Sequence, residues 1–240
     1  MRRFAYLALP CALALAAGSG CGKTRDCNAL AEVTNRRSAE IVQIEARGSE
    51  TPETLASDMT ALGDVADQAA SDVHDLPLSD DTVVSKASDY ETVAHDLATA
   101  SRSFSTLMLA LVEQREAQAG AQKTFDRSGQ ALLDACSTAS SSCNDVGDVL
   151  RAQPKNPAPD KLVSVLASYV EALEALDLDE SPVQRAVDTR VAAAKAYAAI
   201  VEKKSTLDRD IDEARTKVHT IVARQNALID ELNVFCVGKG

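Results

Sequence analysis

The sequence has no tryptophan, and aromatic residues make up only 3 % of its 240 positions. A core built without large rings must be filled by aliphatic side chains. Much of the 45 % hydrophobic content is alanine, which favours helix and lets helices pack closely. Breakers are scarce too, with 10 glycines and 7 prolines. Runs of β-branched residues bounded by turn signals are missing, so no sheet is expected. Chemistry-bearing motifs are equally thin. There is no Gly-x-Ser-x-Gly elbow, no Glu-x-x-His pair and no Cys-x-x-Cys spacing. These absences argue against a serine hydrolase, a bundle-core carboxylate metal site and a thiolate metal site. Positive charge is also short. The formal net charge is −11, and without residues 1–20, which carry Arg2 and Arg3 and no acid, it is −13. That balance disfavours nucleic acid as a partner and direct docking on anionic headgroups.

What the chain has in quantity is helical periodicity. From Ser181 to Cys236 it has no Gly and, after Pro182 at the start, no Pro, a run of about 84 Å if it forms a single helix. Its second half places Leu207, Ile211, Ala214, Val218, Ile221, Leu228, Leu232 and Phe235 at alternating spacings of four and three, with only Gln225 interrupting. This is a coiled-coil-like seam that needs partner helices. Ser181, Pro182 and Gln184 make a capping start.

The preceding chain supplies those partners. Asp26 is expected to cap a first helix to about Arg47, with Leu30, Val33, Ile41 and Ile44 inward. Thr51-Pro52 opens a second helix that Pro77 stops. Ser79-Asp80-Asp81 starts a third, reaching about Cys136. Its stripe is apolar from Val83 to Leu111, polar at Arg115, Gln118 and Gln122, then apolar again from Phe125, which predicts a wet waist. Pairing Val83 with Val234 would bring Arg115 near Glu202. A Ser-rich loop, a short helix near Asp145–Ala152 and a fifth helix over about Asp160–Leu176 precede the final one. The expected fold is an all-α, elongated helical bundle. Two long antiparallel helices, about 79–136 and 181–236, are shared by two four-helix layers, and residues 26–237 form a single domain.

The first twenty residues are of another kind. Arg2-Arg3 gives a positive start, Phe4 to Ala17 an apolar segment too short to span a bilayer, and Gly18-Ser19-Gly20 a run of small residues before Cys21. This resembles the signal of bacterial lipoproteins. The resemblance covers about a tenth of the chain and implies a signal peptide over 1–20, lipidation of Cys21 (palmitate-type acylation), and residues 21–25 as a linker. Gly22 after the cysteine, rather than Asp, implies the outer membrane, periplasm-facing or surface-exposed. The same residues, Ala17 to Thr24, also match a relaxed phosphate-binding loop. That chemistry needs a parallel sheet behind the loop and an aspartate ending a second strand, and the sequence offers neither.

With Cys11 in the signal and Cys21 as the lipid site, four cysteines remain: Cys27, Cys136, Cys143 and Cys236. An even number in an exported chain reads as a disulfide framework with three possible connectivities. The helix layout selects Cys27–Cys236 and Cys136–Cys143, because the first pair opens the first helix and closes the last while the second flanks one loop. The functional expectation is a non-catalytic, membrane-anchored envelope lipoprotein with a structural or protein-interaction role. It needs no cofactor, and its partner is another envelope protein. The alternative is a periplasmic small-ligand or metal-binding bundle using the polar waist or the neighbourhood of Glu91, His95 and His219.

Overall fold

The computed structural model describes residues 22–137, 141–152, 157–178 and 181–237, and every secondary-structure element among them is helical. In chain order these are α1 (Lys23–Glu45), α2 (Pro52–His74), α3 (Asp81–Ala135), α4 (Ser141–Ala152), α5 (Leu162–Glu174) and α6 (Ser181–Val237), with a 3₁₀ turn at Pro159–Lys161 before α5. The protein is an all-α helical bundle. Its helices fall into two compact units. The first gathers α1, α2, α3 up to Leu109 and α6 from Asp210; the second holds α3 from Ala110, α4, α5 and α6 up to Arg209. Each is therefore a four-helix bundle to which both long helices contribute a segment, and the stretch 26–237 comprises both.

Local chemistry explains the helix ends. Thr51 caps α2 by accepting from the Thr54 backbone N–H at 3.2 Å, while Thr54 Oγ1 accepts from the Thr51 N–H at 3.1 Å, and Pro52 fills the first helical position. Asp80 caps α3, its Oδ1 taking the N–H groups of Thr82 at 3.0 Å and Val83 at 3.1 Å. Gly48, at φ 67°, makes the left-handed turn out of α1 that a side chain would resist. At the start of α6, Gln184 donates to Asp188 at 2.8 Å, one turn further along. The Ser181 side chain lies outside the described residues.

The first unit's core joins α1 (Cys27, Leu30, Val33), α2 (Ala69, Ala70, Val73), α3 (Val83, Ala87, Tyr90, Ala94) and α6 (Leu232). The apolar stripe of α3 holds from Val83 to Leu111, all buried. The break in the α6 stripe is answered across the seam: buried Gln225 donates to the Tyr90 hydroxyl at 3.4 Å. Burial raises the Tyr90 phenol above its ordinary value, offset in part by that bond. Ser101 has no such answer. It is wholly buried on the same stripe, and among the described residues its hydroxyl has no hydrogen-bond partner. A buried hydroxyl left unpaired is destabilising, so Ser101→Ala should raise the unfolding free energy by about 1 kcal/mol. A urea midpoint unchanged or lowered in the variant would refute this.

The second unit's core joins Leu132 of α3, Val146 of α4, Leu166, Tyr169, Val170 and Leu173 of α5, and Val183, Val187, Val191, Ala194 and Tyr197 of α6. Here the expected register needs correction. Arg115 and Gln122 are exposed, and the buried polar residue is Gln114, which donates to the Ile200 carbonyl at 2.6 Å. After Leu111 the inward positions step by three and then four, to Gln114 and Gln118, and on to Ala121 and Phe125. Arg115 thus turns outward, and among the described residues it makes no pair with Glu202. Lys204 instead meets Asp208 on its own helix at 2.6 Å. The axial pairing of α3 with α6 was read to within a turn, since Gln114 faces Ile200 and Lys86 reaches Glu231 at 3.3 Å. The rotation of α3 about its own axis was not.

Candidate functional site

The chemistry that the sequence singled out converges on one end of the first unit, where α1 begins, α3 begins and α6 finishes. Asp26 was expected to cap α1. It lies inside the first turn instead, its own N–H bonded to the Gly22 carbonyl at 3.0 Å. Its carboxylate caps the entry to a different helix. Oδ2 accepts from the Ser79 N–H at 2.6 Å, the Asp80 N–H at 2.8 Å and the Ser79 hydroxyl at 3.0 Å, and Oδ1 accepts from Arg25 at 3.1 Å. Because α1 does not use Asp26 as its cap, it starts at Lys23. Residues 23–25, expected in a linker, are therefore helical. Cys21 and the rest of the signal lie outside the described residues.

The Asp26 side chain is 1 % exposed. The Ser79 N–H first, then that of Asp80, holds its carboxyl down to about 2 although burial pushes the other way. A depressed carboxylate stabilises the fold fully above its unfolded value, near 3.8, and loses that contribution as pH falls through about 2. Asp26→Ala should accordingly lower the melting temperature at neutral pH, with the gap to wild type narrowing below pH 3.8 and closing near pH 2. Melting curves across that range are the check; a gap constant down to pH 2 would mean that the charge is not what holds Ser79 and Asp80.

Beside Asp26, Cys27 is bonded to Cys236, with Cα atoms 5.7 Å apart and a sequence separation of 209. Cys136 and Cys143 form the second bridge, in the second unit, with Cα atoms 5.2 Å apart. Both expected pairings are present. Lys23, the lysine of the phosphate-loop-like match, places its ammonium 3.7 Å from the Phe235 ring centroid, a cation–π contact. It begins an α-helix with no strand before it among the described residues. A hollow next to the Cys27–Cys236 bridge, lined by Leu30, Thr34, Ile229 and Asn233 among others, measures about 20 Å³. It has room for about one water, far below the roughly 300–1,000 Å³ of small-molecule sites.

His74 and His95 pair with different acids. His74 Nδ1 lies 3.3 Å from Glu91 Oε1, and His95 Nδ1 lies 3.1 Å from Asp67 Oδ1. Glu91 and His95 thus serve different partners on α2, and His219 is exposed on α6. Asp67 also takes Arg102 at 2.5 Å. Burial pushes its carboxyl up, but the bonds from Arg102 and His95 win and leave it below the usual carboxylate range. Among the described residues, no group of three or more His, Cys, Asp or Glu is placed to hold a metal ion.

One polar residue was missed by the sequence reading. Arg190 is 9 % exposed, deep in the second unit. Its Nε donates to the Tyr169 hydroxyl at 2.9 Å, and its Nη1 donates to the Phe125 carbonyl and to Ser128 Oγ, the latter at 3.3 Å. The guanidinium carbon lies over the Phe125 ring, 3.3 Å from its centroid. Among the described residues it has no carboxylate partner. Space for it is made by Gly129, where a Cβ would sit 3.1 Å from Nη1. The signal was available: Val183, Val187, Arg190, Ala194 and Tyr197 keep the four-three spacing, with arginine on the inward stripe.

The fold and this site define an all-α, disulfide-linked helical bundle. No family model matches the chain, and neither a curated protein nor a solved structure is found similar to it. No helix among the described residues is long and apolar enough to cross a membrane.

Proposed function

We propose that the protein is a non-catalytic lipoprotein of the bacterial outer membrane, anchored through lipidated Cys21, whose bundle serves a structural role or engages another envelope protein. The observation that carries this reading is the Cys27–Cys236 bridge between the first turn of α1 and the last turn of α6. Such a bridge forms and persists in an oxidising compartment, where the positive, short apolar leader before Cys21 would deliver the chain. The residues that carry reactive chemistry elsewhere hold helices together here: Asp26 caps α3, His74 and His95 pair with acids, and Arg190 fills a core.

Cys21→Ser should move the protein from the membrane fraction to the soluble periplasmic fraction. The mature wild-type N-terminus should carry the mass of a lipid. Unchanged fractionation, with no lipid mass on the wild type, would refute the anchor.

A further inference from the structure

We propose that the end of the first unit built from the start of α1, the start of α3 and the end of α6 sits directly on the bilayer surface, with no flexible tether between lipid and fold. The inference rests on the reading of Cys21 as the lipid site and adds what that site does to the domain. Cys21 is one peptide link from Gly22, about 3.8 Å from Cα to Cα. Gly22 already accepts the first bond of α1, from the Asp26 N–H at 3.0 Å. That turn is bolted down twice, by Asp26 to Ser79 and Asp80 and by Cys27 to Cys236. Acyl chains on Cys21 therefore enter the membrane within a residue of a rigid structure. A linker of Gly, Ser or Asn that would let the domain drift has no place in this geometry.

The surface at that end suits the position. Val84 in the first turn of α3 is 45 % exposed, and Val234 and Val237 in the last turn of α6 are 62 % and 64 % exposed. Three large apolar side chains left in solvent at the anchored end would be covered by the headgroup and upper acyl region. The charges there are mixed. Arg25 pairs with Asp26, Lys86 with Glu231, and Lys23 stands over Phe235, while Asp80 and Asp81 add negative charge at the start of α3. Among the described residues the basic side chains at this end are matched by an acid or a ring, which gives anionic lipid no patch to recognise, so the occupant is a zwitterionic phospholipid surface held close by the anchor.

The absence of tryptophan makes the test clean. Full-length lipidated protein carrying V84W, V237W or V42W is placed in phosphatidylcholine vesicles with lipids brominated near the headgroup. Val42 is also exposed, but it lies 19 residues further along α1 than Lys23, about 28 Å away along the helix. The V84W and V237W emissions should be quenched about twofold or more relative to V42W. Mass spectrometry of the N-terminus comes first: no lipid there defeats the anchor reading itself. With lipid present, equal quenching at all three positions, or stronger quenching of V42W, overturns the seated geometry. Circular dichroism confirms that each variant is folded, and the two end positions report independently.

Discussion

Replacing both cysteines of the first bridge, Cys27→Ala with Cys236→Ala, should lower the unfolding free energy by about 2–5 kcal/mol, the larger of the two disulfide effects. The bridges differ in the loop each closes: the sequence separation is 209 for Cys27 and Cys236, against 7 for Cys136 and Cys143. In the chain-entropy model those separations correspond to roughly 5 and roughly 2.5 kcal/mol, because the gain grows with the logarithm of loop length. The long bridge also constrains the unfolded chain from near its start to near its end. Its loss should therefore steepen the dependence of stability on urea as the denatured state expands. Equilibrium unfolding of the two double variants decides the matter. A short-bridge variant that loses as much stability as the long-bridge variant would show that local packing around the sulfurs outweighs the loop each one closes.

That bridge was legible before any coordinates because it follows from counting and topology. Four cysteines in a chain read as exported, with an antiparallel return of the last helix, leave one economical pairing. The all-α class was legible for a similar reason: long runs without Gly or Pro, with apolar residues at four-three spacing, have few other ways to bury their stripe. The interior of the waist was not. A polar stretch gives no hydrophobic stripe to mark which side faces in, so the step from Leu111 to Gln114 rather than Arg115 could not be read. The role of Asp26 escaped for another reason. A capping residue looks the same in sequence whether it serves its own helix or one more than fifty residues away, and only the packing of α1 against the α2–α3 connection makes it the latter. The partners of Glu91 and His95 were not legible either: both lie on α3 but meet different residues of α2.

Arg190→Ala should be among the most damaging single changes, costing about 3–4 kcal/mol. The guanidinium fills the space between the Phe125 and Tyr169 rings that Gly129 leaves open, and it supplies donors to the Tyr169 hydroxyl and Ser128 Oγ. Truncation removes the filled volume, strips both ring faces and leaves those hydroxyls without their donor. Two effects are thus entangled, and a second substitution separates them. Arg190→Met restores most of the stem and a polarisable group beside the rings but no donor, and it removes the cost of burying a charge. If packing dominates, the methionine variant should recover most of the loss and sit within about 1.5 kcal/mol of wild type. If the hydrogen bonds dominate, it should be nearly as unstable as the alanine variant. The observed geometry favours packing, because among the described residues the charge has no carboxylate to offset its burial and the guanidinium carbon lies 3.3 Å from the Phe125 ring centroid. Tyr169→Phe completes the comparison. In the wild-type background it should cost about 1 kcal/mol, the net worth of one hydrogen bond, and in the Arg190→Met background close to nothing. Urea unfolding of the four proteins, followed by far-ultraviolet circular dichroism, measures both numbers. A Tyr169→Phe penalty that persists undiminished without Arg190 would show that the Tyr169 hydroxyl is held by something other than the guanidinium.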